Sequence, residues 1–214
     1  MPSVPQAGVV LLHGGRADSL DPQPPLNLPA LRMRPFRAAI RQRLGEHGLL
    51  LASVRYRCRG WNDMRADAAY DTRSALEELT GLAPRIPVVL VGHSMGGRAA
   101  LLNGGHPSVR GVVALAPWCP PDEPVVHLRD RTVVLLHDER DRVTKAEGSW
   151  DFVRRARHIG AQAHGIPMPH GGHTMLRGAR RWHRLTADLV SAILDRTPVP
   201  TRSAPRASSS HWLR

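Results

Sequence analysis

Cysteine, lysine, acidic side chains and long apolar runs are all scarce in this 214-residue chain, and each scarcity excludes a class of protein. Two cysteines, Cys58 and Cys119, can form neither a disulfide framework nor a zinc site with metal-type spacing, and both are expected as free thiols. The first apolar run, residues 9–12, is far too short to cross a bilayer, and the N-terminus shows no charged region followed by a longer apolar stretch. The expectation is a cytoplasmic protein with no membrane partner. Negative charge is outnumbered, with 18 Asp and Glu against 30 Lys and Arg for a net charge of +12, and Lys145 is the only lysine. Such a balance ordinarily points to a polyanion. Here, however, the arginines are spread through nearly every segment and form no block, and neither an aromatic RNA-binding motif, a zinc spacing nor a helix-turn-helix accompanies them. A general arginine bias is the reading, and no specific nucleic-acid partner is expected.

What is present is an alternation of two periodicities. Apolar runs of strand length fall at 8–13, 49–55, 88–92, 109–116, 132–137 and, more weakly, 162–167. Amphipathic segments of helix length lie between them at 35–45, 63–79, 145–159 and 179–194, the last placing Trp182, Leu185, Leu189 and Ile193 on one stripe. Asn62 reads as an N-cap for the second helix, and Thr144 with Glu147 three residues on has capping-box spacing for the third. Buried strands alternating with helices predict an α/β protein of three layers, with a mostly parallel sheet of about six strands in one domain over 1–197. Beyond Thr197 the chain turns to Pro, Ser and Arg without an apolar period, so 198–214 is expected to be a disordered tail.

One strand carries chemistry. The run Val88, Val89, Leu90, Val91 leads into Gly92, His93, Ser94, Met95 and Gly96, a G-x-S-x-G pattern followed by helix-forming residues. It reads as strand, sharp turn and helix, with the Ser94 oxygen exposed at the apex and a helix N-terminus behind it. A serine hydroxyl is a weak nucleophile near neutral pH, so it needs a base and a group to orient that base. In a parallel sheet both must come from loops at the carboxyl ends of strands. His173, after the last strand and preceded by Gly172, is the favoured base, with His170 in the same loop as its rival. For the acid, the loop after 132–137 offers Asp138, Glu139 and Asp141, of which Asp141 has the reach; Asp122 or Glu123 is the fallback. An oxyanion formed on attack needs two donors: the Met95 N–H beside the nucleophile, and the N–H of Gly15 or Arg16 after the first strand.

With strand-His13-Gly14-Gly15, Gly92-His93-Ser94-Met95-Gly96-Gly97, the Asp141 loop and Gly171-Gly172-His173 in view, the chain resembles the α/β-hydrolase superfamily over residues 8–195. Its likeness is to the small uncapped esterase-like and dienelactone-hydrolase-like members. The resemblance implies a serine hydrolase with Ser94, Asp141 and His173 as triad, needing no cofactor and no metal. Its substrate would be a small-molecule carboxylic ester or thioester, cleaved through an acyl-enzyme. Acyl transfer, amide cleavage or perhydrolysis on the same site, or a non-catalytic binding protein keeping the fold, are the alternatives. Two departures bear on shape: there is no room before Val9 for two opening antiparallel strands, and about fifteen residues join 109–116 to 132, too few for a helical cap. Relatives often carry an Arg-x-x-Gly turn where Arg55 to Asn62 lie, so this stretch, with Arg59 and Trp61, is expected to border the site, and Trp118 to line the acyl side. The segments 117–121 and 17–34 are all that remain to roof it.

Removal of 198–214 is expected to leave melting temperature and turnover nearly unchanged, because the segment offers no apolar stripe to dock. Thermal unfolding and activity of the truncated chain test this, and a large loss in either would show that the tail packs onto the domain.

Overall fold

The computed structural model describes residues 5–200. Its centre is the strand β3 (Val88–His93), buried at every position, as a β-branched run must be when both sheet faces are covered. On one side of it lie β1 (Ala7–Leu12) and β2 (Leu49–Ser53), and on the other β4 (Val109–Leu115), β5 (Thr132–His137) and β6 (Gln162–Pro167). Every pairing is parallel, and the order is β2-β1-β3-β4-β5-β6. The chain thus starts in the middle, runs outward to β2, then returns to β3 and proceeds the other way. At that reversal the loops after β1 and β3 diverge and leave a crevice at the carboxyl edge.

Successive residues of a strand face opposite layers, which gives two cores. Val10, Leu12, Leu90, Val112 and Val133 pack toward α2 (Asp67–Leu82), α3 (Met95–Leu102) and α4 (Ala146–His158). Val9, Leu11, Val89, Val113 and Val134 pack toward α1 (Leu28–Leu44) and α5 (Ala179–Asp195), where Met33, Phe36, Trp182 and Leu189 complete the layer. The three-layer architecture and the parallel sheet are as the sequence implies. Between β4 and β5 the described residues hold only the short 3₁₀ turn Val126–Leu128, so no cap domain stands there.

Element ends depart from expectation for identifiable reasons. The strands at 132–137 and 162–167 agree with β5 and β6, whereas β2 stops at Ser53, where Val54 N–H already donates to Leu11 O. Expected over 35–45, α1 begins at Leu28 and carries Pro35 inside it. Pro35 resembles a helix start because proline suits a first turn. Here Asn27 caps the helix by accepting from Ala30 N–H at 3.1 Å, and the buried stripe Met33, Phe36 and Ile40 outweighs one missing internal hydrogen bond. Asn62 does not cap α2: it sits at φ 62° ahead of the 3₁₀ turn Asp63–Arg65, and its amide donates to Asp67 Oδ2 at 2.7 Å. Nor does Thr144 form a capping box, since the residue before α4 is Lys145 and the Thr144 hydroxyl points into the site described below. The expected tail lies, from 201 on, outside the described residues.

Trp182 links this core to the carboxyl edge of the sheet: it is fully buried, its Nε1–H donates to His170 O at 2.7 Å, and a Cβ on Gly171 would collide with it. Trp182→Ala is expected to cost about 3–5 kcal/mol by urea unfolding, and Trp182→Phe, which keeps most packing but loses the hydrogen bond, about 1–3 kcal/mol. Equal, small losses in both would mean that the ring does not support the 170–173 loop.

Candidate active site

The turn between β3 and α3 holds Ser94 at φ 54° and ψ −118°, a conformation L-residues rarely adopt. It persists because its surroundings leave no alternative. A Cβ on Gly92 would run into the Gly96 carbonyl, and one on Gly96 would meet the carbonyls of His13 and Leu12, so strand and helix approach this closely only with glycine at both positions. Ser94 N–H donates to Leu115 O at 3.0 Å, and the Ser94 carbonyl accepts from Arg98 N–H and Trp118 N–H, both at 3.1 Å. The neighbouring strand β4, the loop after it and α3 therefore clamp the turn.

Against this serine the structure brings His173, whose Nε2 lies 3.0 Å from Ser94 Oγ and whose Nδ1 lies 2.8 Å from Asp141 Oδ2. A carboxylate can only accept, so Nδ1 carries the proton and Nε2 is free to accept from the hydroxyl. His170, the rival, is exposed and offers only its carbonyl, to Trp182. Of the other acids, Glu139 and Asp122 are exposed, while Glu123 is paired with Arg98 at 2.5 Å. Asp138 is buried and has a different part: its Oδ2 accepts from Gly172 N–H at 2.8 Å, which ties the His173 loop to the Asp141 loop.

Asp141 receives more than His173. The backbone N–H groups of Val143 and Thr144 reach its Oδ1 at 2.8 and 3.2 Å, and Thr144 Oγ1 and His137 Nε2 reach its Oδ2 at 3.0 and 3.2 Å. Burial alone pushes this carboxyl up, but the hydrogen bonds from His137, His173 and Val143 prevail and hold it well below the usual carboxylate range. His137, with no exposed side chain, sends its Nε2–H to both Asp141 and the Thr144 carbonyl at 2.9 Å, while its Nδ1 accepts from Ser149 Oγ at 2.7 Å. By residue pattern alone His137 is only the last residue of a strand and Thr144 a helix cap. Polar residues at the end of an otherwise apolar buried strand were the available signal.

His93, inside the motif, donates from Nε2 to the His173 carbonyl at 2.9 Å. Burial, and secondly the nearby His173, lower its pKa to about 3, so it stays neutral and adds no competing charge beside the base.

At the other side of Ser94, Met95 N–H opens α3, and Gly14 and Gly15 follow β1. Arg16 N–H is already committed to Arg59 O at 2.9 Å, which removes it from the two expected donors and leaves Gly15. Only glycine fits there, because a Cβ would strike Met95 Sδ and Arg59 O. Trp61 is a correction: it is 2% exposed, since its N–H donates to the carbonyls of Arg16 and Ala17 and its ring is turned inward. The Arg98 guanidinium stacks over it at 4.0 Å and over Trp118 at 4.5 Å, so Trp61 supports the wall while the partly exposed Trp118 remains at the site. Arg59 is partly exposed and lines a small cavity beside Gly15. Burial pushes the Cys119 thiol up to about 12 and raises Cys58 as well, so neither is a ready thiolate, and both are free. Among the described residues no group of three or more His, Cys, Asp or Glu is placed to hold a metal ion, and no helix is long and apolar enough to cross a membrane.

The model of a family described as "Alpha/beta hydrolase family" matches residues 9–213. Among solved structures the chain is similar to Est2, a thermophilic esterase of the planctomycete Thermogutta terrifontis solved with propionate, at TM-score 0.67 and 16% identity over 96% of this chain and 88% of that one. It is similar also to Est1E from Butyrivibrio proteoclasticus, at TM-score 0.60 and 13% identity over 91% and 90% of the two chains. An alpha-beta serine hydrolase homologue from Coxiella burnetii gives 0.64 and 14% over 86% and 85%. At such identities the likeness is one of fold. No curated protein matches the chain.

The depressed pKa of Asp141 makes a prediction of definite sign. Its contribution to stability is full above the unfolded carboxylate value, about 3.9, and is lost as pH falls from there toward the lower folded value. The melting-temperature gap between the native chain and Asp141→Asn is therefore expected to be constant near neutrality and to close below about pH 4. A gap that does not change with pH would mean that these donors do not hold the carboxylate ionised.

Proposed function

Since the chain belongs to the alpha/beta hydrolase family, we propose that it is a serine hydrolase cleaving a carboxylic ester or thioester through an acyl-enzyme intermediate. The observation that carries the reading is the chain of contacts from Ser94 Oγ through His173 to Asp141, at 3.0 and 2.8 Å, built on a strained strand-to-helix turn. Ser94 Oγ attacks the carbonyl carbon while its proton passes to His173 Nε2. Asp141 keeps the imidazole in the required tautomer and stabilises the imidazolium, and the N–H groups of Met95 and Gly15 receive the oxyanion. On collapse, the carbon–oxygen or carbon–sulfur bond to the leaving group breaks, and His173 returns the proton to it. Water then repeats the sequence on the acyl-enzyme with His173 as base. No cofactor or metal takes part in these steps. A protein that merely keeps the fold for binding would not need this hydrogen-bonded chain; to the hydrolase we assign a small-molecule ester substrate and a cytoplasmic location, where Cys58 and Cys119 stay reduced.

The roof favours small acyl groups. Residues 28–34 of the 17–34 segment are the first turns of α1, so only 17–27 and the loop around Trp118 are left to roof the edge. An open groove gives little of the roughly 0.8 kcal/mol that each buried methylene contributes in a closed tunnel.

Ser94→Ala and His173→Ala are each expected to lower kcat on p-nitrophenyl esters by about three orders of magnitude or more. Ser94→Ala is also expected to abolish fluorophosphonate labelling, whereas His170→Ala stays within a few-fold of native. Near-normal turnover by Ser94→Ala sinks the triad, and a more severe His170 variant would move the base. Across acyl lengths kcat/KM should peak at short chains; a steady rise of about fourfold per methylene would show that 17–27 closes as a lid.

A further inference from the structure

Two arginines beside the nucleophile stand together without a counter-charge. The backbone forces their proximity: Arg16 N–H donates to Arg59 O at 2.9 Å, within a parallel bridge between Arg16 and Gly60. Their neighbours are handled differently. Arg57 Nε lies 2.6 Å from Asp71 and Arg65 Nε 3.0 Å from Asp67, so these cations on the same turn are satisfied by buried acids, while neither Arg16 nor Arg59 has an ion-pair partner among the described residues. Two cations that border one cavity without a counter-charge favour an anion there.

The pair lines a cavity of about 270 Å³ together with Gly14, Gly15, Gln23 and Asn27, and no acidic side chain borders it. The two amides do not alter its sign, because Gln23 Nε2 donates to Cys58 O at 2.7 Å and Asn27 Nδ2 to Gln23 Oε1 at 2.9 Å. Position matters as much as charge. Gly14 packs against Ser94, such that a Cβ there would lie 3.4 Å from Ser94 Cβ, and Gly15 carries the N–H assigned to the oxyanion. A group in this cavity is therefore only a few atoms from a carbonyl under attack. The volume falls just below the roughly 300–1,000 Å³ of whole-ligand sites and suits one small charged group.

We infer, resting on the reading of this site as a serine acyl hydrolase, that its ester substrate carries a carboxylate or phosphate near the scissile carbonyl, and that Arg16 and Arg59 bind that anion. Two planar guanidinium forks match the oxygens of either group.

Two matched pairs of substrates test this and separate the sources. p-Nitrophenyl hemiglutarate against p-nitrophenyl valerate places a carboxylate on an acyl chain of equal length; 1-butyrylglycerol 3-phosphate against 1-butyrylglycerol places a phosphate on the leaving group, a few atoms from the ester oxygen. Native protein is expected to favour the charged member of one pair by tenfold or more in kcat/KM, with the pair identifying the anion. Arg59→Glu and Arg16→Glu should each reduce that ratio by at least tenfold, Arg59→Gln by less, and exposed Arg129→Glu should leave it unaltered. A native ratio near one in both pairs, or a ratio that survives Arg59→Glu in a protein of native melting temperature, overturns the inference while Ser94-dependent turnover leaves the hydrolase reading in place. Calorimetric titration of glutarate and glycerol 3-phosphate into Ser94→Ala keeps the two questions apart. If native protein turns over none of the four esters, the hydrolase reading fails, yet binding that disappears in the Ser94→Ala, Arg59→Glu double variant upholds the arginine pair. Absence of binding by either anion removes it.

Discussion

The buried carboxylate of Asp141 is the constraint around which the candidate active site is arranged. An ionised carboxyl so enclosed is tolerable only when its lone pairs are occupied, and five donors from three directions occupy them. Each donor is thereby fixed in turn. Thr144 and Val143 shape the loop between β5 and α4, His137 locks that loop to its own strand, and His173 is brought across from beyond β6. Because Thr144 Oγ1 also lies 3.2 Å from the Ala116 carbonyl, the same network touches the strand beside the nucleophile. Thus the base is positioned less by its own loop, which contains two glycines at positive φ, than by the acid it faces.

How much of this could be read from the residues follows from how local each signal is. The G-x-S-x-G turn is legible because its chemistry is contained in five successive residues, and Gly92 and Gly96 meet each other directly. The apolar runs of β5 and β6 are legible for the same reason, as each residue pattern reports its own burial. Asp141 could be preferred over Asp138 from reach alone, but nothing in the sequence shows that Asp138 holds Gly172 N–H, since that contact spans 34 positions. Trp61 was misplaced because a tryptophan in a turn gives no sign of which way the turn folds; the bonds of its N–H to Arg16 and Ala17 decide it. Thr144 and Asn62 were misread alike. Both are good caps by type, and both side chains turn instead to nearby carboxylates, Asp141 and Asp67, three and five positions away, that offer charged acceptors.

The stack of Trp61, Arg98 and Trp118 shows the opposite economy of charge to the cavity at Arg16 and Arg59. Arg98 is enclosed by two aromatic faces and answered by Glu123, whose pKa is itself raised by burial. Its charge is internal to the wall, and its backbone N–H steadies the Ser94 carbonyl. The arginine excess of this chain is thus not uniform in kind: some guanidinium groups are structural members, and others face solvent at the edge where chemistry is proposed.

Ser94, Asp141 and His173 sit on loops that follow β3, β5 and β6, with 79 positions separating the serine from its base. No fragment of the chain short of that sheet can assemble the three. On the function proposed above, an opening at the β6 edge would detach His173 and silence the serine even while β3 and its helix remain intact. The rate at which this hydroxyl reacts with an electrophile is consequently a gauge of sheet integrity, and covalent labelling under mild denaturation would count molecules whose outermost strand is still paired.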